Sequence, residues 1–422
     1  MTLGLFLYRL LTFGLSPFLG IVMRRRAKSG KEDITRLNER FARNLKERPD
    51  GKVIWLHAAS VGESKILLET AQRLILDLRS ETTLLFTCQT QTAAHIITDA
   101  KSHSFQKHRL LQQMAPLDTM QISQRFVDHW QPDLAIFAEG EVWPNLLQTI
   151  KKRDIPSILI NARMTEKSLK GWARWPSTAR KVFGVFEHIV ASDEKTCTGL
   201  SVLVGRDISC PGNLKSSLPK PTVNEDDLEA LKTQLSGRHV LLAASTHAPE
   251  EEQLLAIWAT MQDRPFLIIA PRHPERGDTI EAVINKRDVN FARVSRGDPI
   301  QPKTEVLLAD TMGQMGLWYR LADTVYLGGG HAPGVGGHNP IEALQLGKPV
   351  VTGPDLFNFS DLARQLVQIE GFTIISEISE LPQHFPSPLP SQDTLSFLAK
   401  QAEQPMAMTL AGIKPLLQKA GI

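Results

Sequence analysis

The apolar positions of the chain form one long run at the N-terminus and, further on, short runs at regular intervals. Residues 1–23 are apolar except for Arg9 and a few small polar side chains, and the basic segment 24–28 follows directly. From Val53 onward, short continuous apolar runs alternate with segments in which apolar residues recur at helical period. Such runs are typical of strands buried on both faces. The alternation therefore predicts βαβ units with parallel sheets.

The alternation is interrupted once, which indicates two α/β halves. The strands predicted before the interruption are 53–59, 83–88, 133–138, 156–161 and 188–191, and those after it are 239–244, 266–270, 306–309, 324–327 and 349–352. The predicted helices are 65–78, 144–152, 250–261 and 340–346. A Pro-rich polar stretch over 211–227 separates the halves and is the best candidate for an interdomain linker. Two doubly wound domains of this kind would face each other across a cleft at the carboxyl ends of their strands.

Composition and charge narrow the class of protein. The chain has 422 residues, of which 42% are hydrophobic and 22% charged; these ordinary globular values exclude a disordered, collagen-like or coiled-coil chain. The net charge of +3 argues against a dedicated nucleic-acid-binding protein. The three cysteines lack CxxC spacing, and neither HExxH nor a Cys/His cluster occurs, so no metal site is expected. No G-x-S-x-G elbow supports a serine nucleophile.

The N-terminal run is expected to attach the protein to a membrane. Its positive charges follow the apolar residues and no A-x-A cleavage site comes after them, so a secretory signal peptide is disfavoured. The uninterrupted apolar stretch 10–23 is short for a span of about 20 residues, so the segment either spans with Arg9 snorkelling or lies in the interface. Residues 24–52 hold 11 Lys or Arg against 5 Asp or Glu, which favours the cytoplasmic leaflet. The alternative is a buried first helix with a solvated basic end.

Two acidic motifs follow predicted strands of the first half. In Ser60-Val61-Gly62-Glu63, which lies between a strand and its helix, the carboxylate can accept a proton from a bound hydroxyl. A helix cap is the alternative function of Glu63, because the helix dipole favours Glu in a first turn. The second motif is Glu139-Gly140-Glu141-Val142-Trp143-Pro144-Asn145. Two carboxylates beside a Trp at a strand end suit a functional site, whereas two capping acids are the simpler alternative.

The second half carries a glycine-rich loop that favours phosphate binding. Residues 328–337 contain six glycines and precede a helix with Asn339 as its expected N-cap and Pro340 at its first position. Free N–H groups and the helix dipole form an anion site, and Glu342 can accept hydrogen bonds from ribose hydroxyls. The loop matches neither G-x-G-x-x-G nor the G-K-[ST] of an ATP-binding loop. A flexible turn is the alternative.

Further polar segments follow strands of the second half or begin the linker; they are 212–215, 271–276 and 310–314. Because the carboxyl ends of parallel strands lie at the same edge of a sheet, we expect these segments to converge on one cleft. Arg272 suits a phosphate or carboxylate, since its planar guanidinium binds them bidentately. A lone Arg after a strand is more often simply solvated. The prediction of a ligand-binding cleft therefore depends on several polar segments meeting at the same sheet edge.

Four motifs occur in an order that is specific to one family. They are His57-Ala58-Ala59-Ser60-Val61-Gly62-Glu63, Glu139-Gly140-Glu141-Val142-Trp143-Pro144-Asn145, Asn161-Ala162-Arg163-Met164 and Gly337-His338-Asn339-Pro340-Ile341-Glu342. With these motifs, the sequence closely resembles the 3-deoxy-D-manno-octulosonic acid (Kdo) transferases of lipopolysaccharide synthesis. The resemblance extends over nearly the whole chain, including the N-terminal anchor.

The resemblance implies a GT-B glycosyltransferase anchored at the cytoplasmic face of the inner membrane. It implies transfer of Kdo from CMP-Kdo to a lipid A precursor, with inversion at the anomeric carbon, without a cofactor and without a metal ion in the catalytic step. The implied partners are CMP-Kdo, the lipid A precursor and anionic membrane lipids, but no nucleic acid. Two alternatives stay open: another GT-B nucleotide-sugar enzyme, such as an epimerase or a different transferase, and a non-catalytic lipid- or nucleotide-binding membrane protein.

The family's motifs also imply roles for individual residues. Glu63 would be the general base, and Glu139 with Lys215 would help to stabilise the transition state. The residues implied to hold CMP are Pro271, Arg272, Met312, Gly313, Gln314, Asn339, Pro340, Ile341 and Glu342. Gln314 departs from the family, which commonly has Glu there, so a backbone contact to CMP would survive and a charged contact would not.

Three segments are expected from the linker and the resemblance. They are an anchor with a basic collar over 1–34, a Rossmann-like acceptor domain over 35–211 and a Rossmann-like CMP-sugar-binding domain over 212–422. The last helix of the third segment is able to cross back to the acceptor domain.

Overall fold

In the computed structural model, the chain folds as two compact α/β units. The structure describes residues 1–76, 78, 81–103, 105, 109–140, 142–221 and 223–422. The first unit comprises Met1–Leu218 and Gln401–Ile422, and the second comprises Pro219–Lys400. Each unit contains one sheet whose paired strands are all parallel, as the alternating apolar runs predict.

The first unit is built on a six-stranded sheet. Its strands are β1 (Val53–His57), β2 (Thr83–Cys88), β3 (Arg109–Met114), β4 (Leu134–Ala138), β5 (Ser157–Ala162) and β6 (His188–Ala191). The helices are α1 (Leu3–Leu15), α2 (Leu19–Lys28), α3 (Leu37–Arg40), α4 (Val61–Leu74), α5 (Gln91–His103), α6 (Met120–Trp130), α7 (Pro144–Lys152), α8 (Glu166–Ala173), α9 (Pro176–Phe183) and α10 (Glu194–Val204). The strand order is β3-β2-β1-β4-β5-β6, which reverses between β1 and β4. Doubly wound sheets bind ligands at the carboxyl ends of the strands beside such a reversal.

The second unit is built on a seven-stranded sheet. Its strands are β7 (Val240–Thr246), β8 (Phe266–Pro271), β9 (Phe291–Arg293), β10 (Val306–Leu308), β11 (Thr324–Leu327), β12 (Val350–Thr352) and β13 (Phe372–Ile374). The helices are α11 (Glu225–Gln234), α12 (Glu250–Trp258), α13 (Gly277–Ile284), α14 (Met315–Leu321), α15 (Ile341–Gln345) and α16 (Ser360–Leu366). The last helix, α17 (Gln392–Ala420), begins in the second unit and continues into the first from Gln401. The strand order is β13-β12-β11-β7-β8-β10-β9, and it reverses between β7 and β11.

Both faces of each sheet are buried. Neighbouring strand residues point to opposite faces, and in β1 both Ile54 and Trp55 are fully buried, each in a different hydrophobic cluster. The same holds in β7 for Leu241 and Leu242. The uninterrupted apolar runs of the sequence therefore correspond to central strands covered by helices on both sides.

The limits of the two units follow from how the later helical segments pack. Leu214 lies in the hydrophobic core of the first unit together with Ile413 of α17, whereas Leu398 of α17 lies in the core of the second unit. The units therefore divide after residues 218 and 400. The sequence led us to expect the ranges 35–211 and 212–422, with the last helix able to cross back to the first of these domains.

The N-terminal helices expose most of their apolar side chains. Within the described residues, Leu3–Lys28 is the one helical segment long and apolar enough to cross a membrane. The opposite face of α1 packs on the first unit, where Leu5 is buried in the core. The Tyr8 hydroxyl donates a hydrogen bond to the Asp118 carboxylate at 2.8 Å. The segment thus combines an attached face with an exposed apolar face, which fits a membrane anchor.

Candidate active site

Glu63 lies in the first turn of α4, just beyond the carboxyl end of β1. The Ser60 hydroxyl is the N-cap, which accepts the Glu63 N–H at 3.4 Å and donates to the Glu63 carboxylate at 2.8 Å. The Ala59 N–H donates to the other carboxylate oxygen at 2.7 Å. This variant of a capping box shows that Glu63 caps the helix. The same bonds fix the orientation of the carboxylate, which a general base also requires.

Glu139 directly follows β4 and adopts a left-handed backbone conformation with φ of 56°. Residues other than glycine rarely adopt such angles, and those that do are concentrated at functional sites. The fully buried Asn161 has φ of 51° and donates from Nδ2 to Glu139 Oε1 at 3.3 Å. Its Oδ1 accepts the Leu214 N–H at 2.8 Å. Asn161 therefore joins Glu139 to the segment that carries Lys215; Glu141 lies outside the described residues.

Lys215 brings the acidic groups of the two motifs into one cluster. Its Nζ lies 2.6 Å from Glu139 Oε1, and both side chains are partly exposed. The Asn213 side chain fixes the backbone here by accepting the Lys215 N–H at 3.0 Å. A Cβ placed on Gly62 would lie 3.6 Å from Lys215 Cε, so Lys215 packs against the first turn of α4. Gly62 directly precedes Glu63, so the turn that carries Glu63 lies beside the Glu139–Lys215 pair at the carboxyl ends of β1 and β4, where the strand order reverses.

In the second unit, Arg272 lies close to the end of the glycine-rich loop. Pro271 ends β8, and Arg272 follows it with an exposed side chain. Burial and then the neighbouring charges of His247, Arg272 and His273 lower the pKa of His338 to about 4. His247 Nε2 lies 2.9 Å from His338 Nε2, and burial also lowers the pKa of His247. Both imidazoles are therefore mainly neutral at pH 7, and the N–H of one ring donates a hydrogen bond to the unprotonated nitrogen of the other.

The helix that follows the glycine-rich loop is shorter than the sequence indicated. It begins at Ile341, so the prediction that Pro340 occupies its first position is wrong by one residue. Its N-cap is therefore Pro340, and the prediction that Asn339 is the N-cap is also wrong by one residue. Asn339 still contacts the helix start, because its Oδ1 accepts the Ile341 N–H at 3.1 Å, and Glu342 is exposed in the first turn. Since α15 has only five residues, its dipole is small. Phosphate binding here would depend on loop N–H groups and Arg272.

The turn after β10 is exposed and forms hydrogen bonds of its own. Met312 and Gly313 are exposed, and the Thr311 hydroxyl donates to Gln314 Oε1. Asp310 anchors the turn by accepting hydrogen bonds from Ser295 and Arg293. The structure thus places these residues at the same strand edge as Arg272 but gives them separate hydrogen-bond partners. Across the described residues, no three His, Cys, Asp or Glu side chains are grouped so as to hold a metal ion.

Two polar groups near these sites had little signal in the sequence. The sequence showed Asn161 only as part of a family motif. Its side chain joins Glu139 to Leu214, and this contact depends on the left-handed backbone of Glu139 after β4. Glu250 is fully buried and bound to the glycine-rich loop, although its sequence position is that of an ordinary acidic residue in a first helical turn. Its location in the connection after β7, which ends at Thr246, was the one available signal.

The fold resembles that of nucleotide-sugar enzymes. The crystal structure of the UDP-GlcNAc 2-epimerase of Neisseria meningitidis bound to UDP-GlcNAc matches 87% of this chain and all of its own, with a TM-score of 0.53 and 15% identity. Another UDP-N-acetylglucosamine 2-epimerase structure matches 85% of this chain and 92% of its own, with a TM-score of 0.51 and 13% identity. At these identities the likeness establishes the fold, an α/β architecture of the GT-B type.

Sequence comparison then defines the family. Residues 35–218 match the family model for 3-deoxy-D-manno-octulosonic-acid transferase (kdotransferase). The 3-deoxy-D-manno-octulosonic acid transferase of Rickettsia bellii is 32% identical over 378 residues, which cover 89% of this chain and 88% of that protein. The enzyme of the same name from Haemophilus influenzae is 30% identical over 338 residues, which cover 79% and 78%. The chain belongs to the 3-deoxy-D-manno-octulosonic acid transferase family, whose members are glycosyltransferases.

Proposed function

We propose that this protein transfers Kdo from CMP-Kdo to a lipid A precursor, with inversion at the anomeric carbon. The observation that carries this proposal is the cluster of Glu63, Glu139 and Lys215 at the strand-order reversal of the first unit, in a chain of the Kdo transferase family. A carboxylate held beside an ion pair at a ligand-binding edge of the sheet has the groups that alcohol activation and charge stabilisation require.

The proposed step begins with proton removal from the acceptor. A primary alcohol is a poor nucleophile until a base takes its proton, and Glu63 would accept that proton. The alcohol oxygen then forms a bond to the anomeric carbon of Kdo, and the bond from that carbon to the CMP phosphate oxygen breaks. Lys215 would stabilise the negative charge that develops, and Glu139 would hold the ammonium group in position.

The second unit would bind the CMP half of the donor. Arg272 suits the phosphate because its guanidinium donates two parallel hydrogen bonds. Met312, Gly313 and Gln314 would contact CMP mainly through the backbone, and the segment from Asn339 to Glu342 would bind the rest of the nucleotide. We propose that no resident metal ion takes part, since a monophosphate leaving group carries less charge than a diphosphate. Transfer should therefore be unchanged when a chelator is present.

The proposed site of action is the cytoplasmic face of the inner membrane. The exposed apolar face of α1 and the exposed basic residues that follow α1 support attachment to an anionic lipid surface. An acceptor that resides in the bilayer would then be delivered along the membrane rather than from solution.

The Glu63→Gln variant tests the proposal. Replacing the base should lower kcat by roughly 10²–10⁴-fold, while the affinity for CMP stays unchanged, because the carboxylate acts on the acceptor. Glu69→Gln is the matched control, since Glu69 is a buried acid of the same helix that pairs with Arg73 at 2.9 Å. The readout is mass spectrometry of the lipid product formed with acceptor and in-situ generated CMP-Kdo. Near-normal turnover by a folded Glu63→Gln protein would refute the assignment.

A panel of nucleotide sugars separates the proposal from its alternatives. Strict use of CMP-Kdo supports Kdo transfer, whereas turnover of a UDP-sugar without acceptor would indicate an epimerase. Binding of CMP or lipid without any product would indicate a non-catalytic protein.

A further inference from the structure

Building on the proposed function, we propose that Glu250 is a positioning residue that holds the glycine-rich loop in its donor-binding conformation. Glu250 is the first residue of α12 and is fully buried. It lies between the carboxyl ends of β7 and β11, the two strands at which the order of the second sheet reverses. This is the edge at which doubly wound sheets bind ligands.

The Glu250 carboxylate accepts hydrogen bonds from both sides of this edge. From the glycine-rich loop it accepts the Gly329 N–H at 2.8 Å and the His331 N–H at 3.1 Å. The Tyr326 hydroxyl of β11 donates at 3.2 Å, and the His247 N–H donates at 3.0 Å. All four partners are donors, so the carboxylate is the acceptor around which the loop is organised.

The loop approaches Glu250 so closely that only glycine fits. A Cβ on Gly328 would lie 2.7 Å from the Ser245 carbonyl oxygen and 2.8 Å from Glu250 Oε2. Gly329 has φ of 83°, a conformation that side chains disfavour. Of the glycines that the sequence suggested for a phosphate loop, Gly328 is therefore required by its contact with the Glu250 region and Gly329 by its left-handed backbone.

Glu250 also fixes the residue that contacts the end of the loop. The His247 backbone is bound to Glu250, and the His247 ring is bound to the His338 ring at 2.9 Å. His338 directly precedes Asn339, whose side chain accepts the N–H of Ile341, the first residue of α15. One buried carboxylate thus orders both the start of the loop and, through His247, its end beside Arg272.

The neighbouring Glu251 provides the contrast between a structural and a positioning acid. Glu251 is also buried, but its carboxylate pairs with Arg276 at 2.7 and 3.2 Å and its hydrogen bonds do not involve the glycine-rich loop. Loss of either carboxylate should destabilise the fold, because each leaves buried donors without their acceptor. Only loss of Glu250 should alter the loop.

The experiment compares Glu250→Gln with Glu251→Gln in the full-length protein. Glutamine at 250 replaces one acceptor oxygen by an N–H₂ group, which then faces at least two of the four donors, such as the His247 and Gly329 N–H groups at Oε2. We therefore expect the Kd for CMP and the KM for CMP-Kdo to rise at least tenfold, with a smaller change in kcat. Hydrogen exchange over residues 328–338 should accelerate in the ligand-free protein. Glu251→Gln should lower the unfolding temperature with CMP affinity unchanged. Tyr326→Phe removes one donor and should give a weaker effect in the same direction, which provides a second variant if Glu250→Gln fails to fold.

The outcomes separate this inference from the proposed function. If Glu250→Gln and Tyr326→Phe bind CMP as the wild-type protein does, and loop exchange is unchanged, the inference is wrong while Kdo transfer stands. If the wild-type protein binds no CMP, the proposed function fails, and loop exchange alone decides whether Glu250 orders the loop.

Discussion

At the scale of single residues, the Glu139–Lys215 ion pair holds its two side chains in place but adds little to the free energy of folding. Both side chains are partly exposed, and ion pairs in such surroundings contribute only ~0–1 kcal/mol to folding. The left-handed backbone at Glu139, by contrast, costs on the order of 1–3 kcal/mol. The free-energy cost of the Glu139 backbone thus exceeds the stabilisation by the ion pair. Such a net cost is expected where the geometry of the side chains is needed for chemistry.

Lys215→Met should therefore lower activity strongly and stability little. We expect a fall in kcat of roughly 10²–10³-fold, the usual effect of removing one group that stabilises developing charge. The matched control is Lys52→Met, because Lys52 pairs with Asp133 at 2.9 Å at the amino ends of β1 and β4. Steady-state kinetics and thermal unfolding measure both variants. Equal kinetic effects of the two substitutions would contradict the role of Lys215.

The His247–His338 contact predicts a pH dependence of stability. Folding lowers the pKa of His338 to about 4, from about 6.5 in the unfolded chain, because burial and then the charges of His247, Arg272 and His273 disfavour the imidazolium. The unfolded state therefore takes up the proton first, so this contribution to stability is present above pH 6.5 and is lost as the pH falls toward 4.

Thermal unfolding measured between pH 7 and pH 4 tests this dependence. His338→Gln should flatten the decline, since glutamine does not titrate. His239→Gln is the control, because the His239 side chain is largely exposed and its loss should leave the wild-type slope. The same slope in the His338 variant and the wild type would refute the expectation.

At the scale of elements, the sequence predicted all the central strands and the edge strand β6, but missed the edge strands β3, β9 and β13. The central strands are continuous apolar runs because both of their faces are covered. The strand β3 escaped prediction because it carries Gln112 and Gln113, which are buried polar residues, and β9 and β13 have three residues each. Edge strands have fewer neighbours, so their composition is less constrained.

The residues of the candidate sites also differ in whether the sequence could predict them. Glu63 and Glu139 were found because each follows a central strand. Glu250 was not singled out, because it begins a run of three glutamates in a first helical turn, which the helix dipole alone favours. Its role depends on burial among donors from three separate segments, which no local pattern encodes.

The final helix offers a prediction at the element scale. Ile413 and Leu398 both belong to α17 and are almost completely buried, but they lie in the cores of different units. Each substitution by alanine should cost roughly 2–5 kcal/mol. Hydrogen exchange should show lost protection in β1–β6 for Ile413→Ala and in β7–β13 for Leu398→Ala. Met408→Ala, at an exposed position of α17, should change neither. Identical exchange patterns for the two buried variants would contradict the division of this helix.

At the scale of the whole molecule, each unit carries its functional cluster where its strand order reverses. The first unit has Glu63 beside the Glu139–Lys215 ion pair, and the second has the glycine-rich loop with Arg272. The first unit also carries the anchor, through Leu5 in its core and the Tyr8–Asp118 hydrogen bond. The unit proposed to bind a lipid acceptor is thus the unit fastened to the proposed membrane segment.

The anchor's two kinds of contact with lipid can be separated by experiment. Leu10, Leu11 and Phe13 are exposed, so changing all three to Ser should abolish binding to phosphatidylcholine vesicles, with or without phosphatidylglycerol, while the fold is retained. Changing Arg24 and Arg25 to Gln should weaken binding only to vesicles with phosphatidylglycerol, by about 1 kcal/mol per residue.

Vesicle sedimentation measures both effects, and the control replaces the exposed Val202 and Leu389 by Ser. Because α1 is fixed to the first unit by its other face, loss of the apolar contacts should also raise the KM for a bilayer-embedded acceptor and leave the KM for CMP-Kdo unchanged. Full vesicle binding by the triple variant would show that α1 is a structural helix of the first unit and that its apolar face does not hold the protein on the membrane.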